Sequence, residues 1–430
     1  MVVALVATAS SVVQVARERA RLAQLAGVPG VVSPVVGPVN ELWATDRQPD
    51  LAGAHDVGGV MVDTWSGPDG TVVRGVDPRT GSDVWSRPLE GTGSHVGRCA
   101  LADGPVSGTD RAVLVCMVVD AAASADAGAR SVPTRVHLDV LDPRTGAVLS
   151  TLPAAPTDVI AGLGADIVVS RVLTGGVQLS RIDPRTGSVV WTTDLTHPGG
   201  AAASSPGLRV FAGHVVVDAG ALAWEVSGTG LVQGHWSDLP TSTTWAIWRT
   251  TGGHLLRATF ALFGGETTVT DLHTGVRVVT SGTVQDLVGV DDGSAPDLLL
   301  VGGARLTAWD LSTGAERWHV DGPADSVVVL DGTVYSVSSN VLRAQDAETG
   351  TVRWTRRNHY GPMPTLETDG QSLYVTTISA SSVASTLRAV SLSDGSLVWT
   401  STLTGSVVSL LVLAGQLFTT TPGGRLVALG

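Results

Sequence analysis

"DPRTGSDVW" occupies residues 77–85, and its first five residues recur at 142–146 and at 183–187. Aligning the chain on the glycines that end these copies, Gly81, Gly146 and Gly187, brings out more of them. "TDLHTG" ends at Gly275, "WDLSTG" at Gly314, "QDAETG" at Gly350 and "VSLSDG" at Gly395, and a degenerate "WEVSGTG" ends at Gly230. Aspartate stands four residues before the glycine in six of these eight copies. Tryptophan stands four residues after it in five, as Trp85, Trp191, Trp318, Trp354 and Trp399. A motif this regular in an otherwise variable chain marks an internal repeat, and the repeat decides the fold.

The residue types say what the motif builds. An aspartate carboxylate accepts hydrogen bonds from backbone amides just downstream and starts a turn. Proline presets φ for the second turn position. Glycine then takes the left-handed conformation that closes a longer hairpin. Short alternating stretches such as "RVHLDVL" (135–141) precede the turns, and others such as "SVVWTTDL" (188–195) follow them, which predicts strands on both sides. The arginines Arg79, Arg144 and Arg185 sit at the tips, where other copies carry Leu272-His273, Leu311-Ser312 or Ala347-Glu348. A ligand-gripping arginine would not be exchanged so freely among repeats, so the motif reads as a hairpin corner.

From Gly146 onward the corner glycines are spaced by 41, 43, 45, 39, 36 and 45 residues. The first interval, Gly81 to Gly146, is 65, and its excess lies in the small-residue stretch 120–134, expected to be a loop extension. Upstream of the corners, 208–230, 327–350 and 409–430 read alike as strand, turn, strand, turn, strand. With the tryptophan strand this gives four antiparallel strands per repeat, the sheet unit of a β-propeller blade. Such sheets bury both faces only by stacking on their neighbours. The last repeat stops at Gly430 without its fourth strand. "VNELWATD" (39–46) resembles the missing piece and puts Trp43 in the tryptophan slot. The expected fold is therefore all-β: a single propeller of four-stranded antiparallel blades, eight in number with seven or nine as alternatives, closed by an N-terminal strand and preceded by a short helix. The corresponding domain plan is 1–26 helix, 27–38 Pro/Gly-rich linker and 39–430 propeller.

Composition narrows the function. Of 430 residues, 52 are glycine, and the formal net charge is −12. Nucleic-acid binding needs a basic surface to displace counterions and is excluded. The D-x-x-T-G-x-x-x-W unit resembles the repeat of the pyrroloquinoline-quinone-like propellers, a family of quinoprotein dehydrogenases and non-catalytic relatives. For the enzymes that resemblance implies a quinone and Ca²⁺ held by carboxylate and amide oxygens, a catalytic aspartate and a pair of adjacent cysteines. Here Cys99 and Cys116 are the only cysteines, asparagine occurs only at 40, 340 and 358, and the repeats are too short for a substrate chamber. Calcium needs six to eight oxygen ligands. No zinc, P-loop, EF-hand or nucleophile-elbow motif occurs. The histidines are scattered, and Asp291-Asp292 reads as a turn. We expect no cofactor, no metal site and no catalytic residue.

Cys99 and Cys116 flank one turn and can face each other across neighbouring strands. A disulfide there would be worth about 3 kcal/mol and would point outside the cytoplasm, while two buried free thiols are the plain alternative. "MVVALVATASSVVQVA" (1–16) is apolar but short of a bilayer span. Arg17, Arg19 and Arg21 follow it. We expect a membrane anchor whose upstream part is cut off, with the propeller extracytoplasmic. An amphipathic helix packed on the propeller is the alternative. Function then divides between a monomeric, non-catalytic binding or scaffolding propeller for an unknown protein or small ligand and a quinone-dependent dehydrogenase with a reduced site.

Overall fold

The computed structural model describes residues 16–45, 48–49, 55–67, 70–89, 99–103, 112–123, 132–196, 207–211, 213–219, 222–237, 244–249, 254–260, 266–281, 288–362, 364–377, 384–405 and 407–430. Its corners are built as their residue types dictate. The closing glycine donates its N–H to the carbonyl of the corner aspartate, at 2.8 Å for Gly81 to Asp77 and for Gly146 to Asp142, and 2.7 Å for Gly314 to Asp310. The aspartate Oδ1 accepts the amide two residues on, from Arg79 at 2.8 Å, Arg144 at 2.8 Å and Ser312 at 2.8 Å. The seven regular corner glycines have φ between 68° and 76°, which side chains rarely adopt. Ser391 replaces the aspartate in one corner and keeps the backbone bond, Gly395 N to Ser391 O at 2.9 Å. The degenerate copy closes one residue tighter, with Gly230 N donating to Ser227 O at 2.9 Å.

These corners join nine propeller-type blades, numbered here along the chain. Two compact units hold them. One comprises Thr45–Thr243 with Gly424–Leu426 and contains blades 1–4; the other comprises Met1–Ala44, Thr244–Gly423 and Val427–Gly430 and contains blades 5–9. In the first unit, blade 3 is typical. Its strands Val159–Leu163, Asp166–Leu173, Gly176–Ile182 and Val189–Thr196 pair in chain order, all antiparallel. Blade 1 carries an extra short strand, His55–Val57, and blade 2 runs from Cys99 to Ala154. Residues 124–131 of the expected loop extension lie outside the described residues, and the strands Val113–Ala123 and Val132–Leu141 run up to it on either side.

The expected count of eight is corrected to nine. The slot at Gly230 is an independent blade 4, with strands Gly207–Phe211, His214–Ala219, Leu222–Ser227 and Val232–Trp236. Its corner is short of one residue and of its aspartate, which makes the copy degenerate in the alignment, but Ser227 supplies the turn chemistry. In the second unit, blade 6 departs from four strands. It keeps Leu298–Val301, Arg305–Asp310 and Glu316–Asp321, while Val288–Asp291 pairs in parallel with the first strand of blade 7, Ser326–Leu330. Blade 9 is finished from the other end of the chain. Glu41–Ala44 pairs antiparallel with Leu426–Leu429, Trp43 lying opposite Ala428 and edge-on to Phe418 at 5.7 Å.

The apolar core lies between blades. Among the described residues there are seven buried clusters, one for each consecutive pair of blades within a unit. The cluster between blades 1 and 2, for example, joins Val62, Val73 and Trp85 to Leu114, Cys116 and Leu141. This layering follows from strand alternation, since a sheet apolar on both faces buries them by stacking on its chain neighbours within the unit.

Residues 16–25 form a helix of strong helix formers, Ala, Arg, Glu, Leu and Gln. It packs within the second unit. Arg21 bonds Asp331 at 2.7 Å and the Gly370 carbonyl at 2.6 Å, and Leu25 is buried against blades 7 and 8. No helix among the described residues is long and apolar enough to cross a membrane, and residues 1–15 lie outside them. The chain after the helix is held too, by Val32 N to Thr368 O at 2.8 Å and Ser33 N to Gly415 O at 2.7 Å.

Candidate functional site

The repeated residues meet at the junctions between blades. Four of the five repeat tryptophans reach past their own corner to the next one. Trp85 Nε1 donates to Pro143 O at 3.0 Å, Trp191 to Gly228 O at 2.9 Å, Trp318 to Ala347 O at 2.9 Å and Trp354 to Leu392 O at 3.0 Å. In each case the acceptor follows the residue that starts the next turn. The ring then lies on the next corner glycine: a Cβ at Gly146 would stand 2.5 Å from Trp85, one at Gly350 2.6 Å from Trp318, and one at Gly395 2.7 Å from Trp354. The corner glycine is therefore required twice, by its backbone and by its neighbour. In blade 2 the tryptophan slot holds Ser150, whose hydroxyl keeps the bond by donating to Pro184 O at 3.1 Å.

Arg79, Arg144 and Arg185 are exposed at the tips, apart from these junctions. Asp291 and Asp292 form the expected turn. Their Oδ1 atoms accept Gly293 N at 2.9 Å and Ser294 N at 3.0 Å, and Asp292 Oδ2 accepts Asp331 N at 2.8 Å. Cys99 and Cys116 are register partners on paired strands, 4.1 Å apart at Cα, and their sulfurs are joined.

Two surface cavities lined by described residues lie in the second unit. One, of about 650 Å³, lies between blades 6 and 7 and is lined by Asp297, Asp310, Arg317, Asp346, Glu348 and Arg353. The other, of about 410 Å³, is lined by Glu18 and Arg21 of the helix, by Tyr335, Arg353 and Trp354 of blade 7, and by Ser391. Arg317 and Arg353 occupy the position just before the blade tryptophan, where other blades carry Val84, Leu149, Val190 or Val398. Each turns back onto its own corner, Arg317 to Asp310 at 2.7 Å and Arg353 to Asp346 at 2.9 Å. The Ser312 hydroxyl and Arg317 hold the Asp310 carboxyl well below the usual carboxylate range, and Arg353 with Thr349 brings Asp346 down to about 2. Both stay ionised at physiological pH. The first cavity is anionic, with carboxylates outnumbering Arg317 and Arg353, whereas the second balances Glu18 and Asp331 with Arg21 and Arg353.

His254 makes a different junction. Its Nδ1 meets Asp271 of the blade 5 corner at 2.6 Å, and its Nε2 meets Asp297, just ahead of blade 6, at 3.0 Å. Burial alone would depress this histidine, but the two carboxylates outweigh it and raise its pKa. Burial likewise opposes the charge on Asp271, and the bond from His254 with amides of the turn brings its pKa down. Sequence spacing gave no sign of this bridge, because its three members come from two blades. Among the described residues no three His, Cys, Asp or Glu side chains converge in a way that could hold a metal ion.

Comparison with known proteins agrees with this architecture. Residues 265–429 match the family model described as outer membrane protein assembly factor BamB. No curated protein matches the chain. Among solved structures, one described as the eukaryotic initiation factor superposes with a TM-score of 0.54 at 12% identity, covering 88% of this chain and 91% of that one. BamB from Moraxella catarrhalis gives 0.43 at 15% identity, over 91% of this chain and 99% of that one. A europium-containing methanol dehydrogenase gives 0.41 at 11% identity, over 79% and 85%. Only the first of the three is close enough to speak for the fold. Residues 265–429 are thus similar to the pyrroloquinoline-quinone-like β-propeller repeats, and the same corner and tryptophan lock recur in blades outside that stretch.

Proposed function

We propose that this protein is a non-catalytic propeller that binds or scaffolds a protein partner outside the cytoplasm. The observation that carries the reading is the match of residues 265–429 to the family described as an outer membrane protein assembly factor. Two features support it. The Cys99–Cys116 disulfide suits an oxidising compartment. The fourth strands present exposed apolar pairs, among them Val189-Val190 and Leu397-Val398, which suit contact with another protein better than with water. The same reading places the chain at the outer face of the cell membrane, as a monomer attached through its apolar N-terminal segment.

The competing reading is a quinone-dependent dehydrogenase. It lacks support in the side chains: the two cysteines bond each other across a strand pair, and Asp310, Asp346 and Asp271 serve their corners together with Arg317, Arg353 and His254. One experiment separates the two. The full chain is cross-linked in the envelope of its native host, and the purified protein is assayed for dye-linked alcohol and sugar oxidation with calcium and the quinone. We expect one discrete protein adduct and no turnover. Saturable, quinone-dependent oxidation without any adduct would contradict the proposal.

A further inference from the structure

The face of blade 8 that meets blade 7 changes character along its length. Near the corner it is apolar, where Leu373, Val375 and Val390 pack with Tyr335, Leu342 and Ala344. Toward the opposite end it becomes polar. Val375 is the register partner of Arg388, and Thr377 of Thr386, so the four side chains share that face. The Arg388 guanidinium lies over the buried ring of Tyr360 at 5.9 Å. Its Nη1 is buried without a hydrogen-bond partner, and so are the hydroxyls of Thr377 and Thr386. Among the described residues no carboxylate pairs with this arginine.

The repeat supplies its own control. Arg388 stands seven residues before its corner glycine, and the same slot is Arg74 in blade 1 and Arg343 in blade 7. Arg74 also lies over an aromatic ring, Trp65 at 5.1 Å, but it pairs with Asp83. Arg343 donates to the Asp321 carbonyl at 2.6 Å. Both have an acceptor oxygen inside the protein. Among the described residues the buried Nη1 of Arg388 has none, and two unsatisfied hydroxyls stand on the same face. A buried N–H without an acceptor is costly, and a buried cation without a counter-charge more so. Three such groups on one face are satisfied together by an incoming acceptor of negative charge.

We infer that Arg388, Thr377 and Thr386 form a binding site for a small oxyanion, a carboxylate or phosphate group, at the junction of blades 7 and 8. The guanidinium offers a planar fork of donors and the threonines add hydroxyls. Tyr360 provides an aromatic wall beneath the guanidinium. The site is cationic in a chain whose net charge is −12, so it selects against the cations that the rest of the surface attracts.

Thermal unfolding tests this on the full chain in an anion-poor buffer at constant ionic strength. Acetate and inorganic phosphate are titrated separately into wild type, Arg388→Met and Thr386→Val. Wild type should show a saturable rise in Tm with one anion, about 2–3 °C at one hundred times its Kd. Both variants should lose that rise. Arg388→Met should melt at or above wild type before any anion is added, because it removes an uncompensated charge, whereas a purely structural arginine would leave the variant less stable. A response to phosphate alone assigns a phosphate-type ligand, and one to acetate alone a carboxylate. Equal shifts in all three proteins, or no saturable shift with either anion, would overturn the inference.

Discussion

Gly146 shows how much one residue of the repeat carries. Its φ of 68° disfavours any side chain, and the Trp85 ring fills the place of a Cβ. Gly146→Ala should lose about 1–3 kcal/mol from the backbone alone, with more from the displaced ring. Trp85→Phe removes the bond to Pro143 O and leaves a buried carbonyl unmet, at a cost of about 1–3 kcal/mol. Arg79→Ala, at an exposed tip, should stay within about 0.5 kcal/mol of wild type; chemical denaturation of the three variants checks all of this, and a large loss for Arg79→Ala would restore a role for the tip arginines. The turn was legible in sequence because aspartate, amide and glycine are neighbours in the chain. The tryptophan's acceptor was not, since Trp85 and Pro143 are 58 residues apart. Arg388 was further from reach still, because its character lies in what does not stand opposite it. The His254 bridge carries a pH signature of its own. A histidine with a raised pKa contributes stability that is complete below its ordinary 6.5 and lost as pH rises through the folded value. The lowered pKa of Asp271 contributes stability present above 3.8 and lost as pH falls. Tm should therefore decline from pH 6.5 upward in wild type and do so less in His254→Gln; parallel Tm profiles in the two proteins would remove the bridge from the stability account.

At the scale of the element, the blade is a sheet whose two faces are both apolar, and its boundaries followed from strand alternation between corners. Two blades broke the pattern for local reasons. Blade 4 has a corner one residue short, with Ser227 in place of aspartate, so its degenerate copy did not read as a full blade. Blade 6 has lost its inner strand to blade 7, a parallel pairing that alternation cannot foresee. Blade 2 adds a covalent tie between its first two strands. With the cysteines 17 positions apart in sequence, reduction of Cys99–Cys116 should cost about 3 kcal/mol. Unfolding with and without reductant measures it, and the Cys99→Ala, Cys116→Ala double variant should match the reduced protein. No change in Tm on reduction would mean that the bond does not form in solution.

Across the whole chain, the same corner grammar runs through both compact units and gives one buried layer for each pair of neighbouring blades. Fold class was open to reading from the repeat, because each layer needs only local strands and a regular period. Function was not, since the repeats are spent on junctions and no sequence motif marks a partner or ligand. The central claim is that the repeat is structural down to its last copy, which takes its fourth strand from Glu41–Ala44 at the far end of the chain. Comparing the melting of chains lacking residues 1–36 and residues 1–46 tests it most directly. Both lose the contacts of Leu25 and Val32, so both should melt below the full chain. Only the longer deletion removes the strand and Trp43, and it should melt lower again, by about 5 °C or more. Equal melting of the two truncated chains would contradict the account.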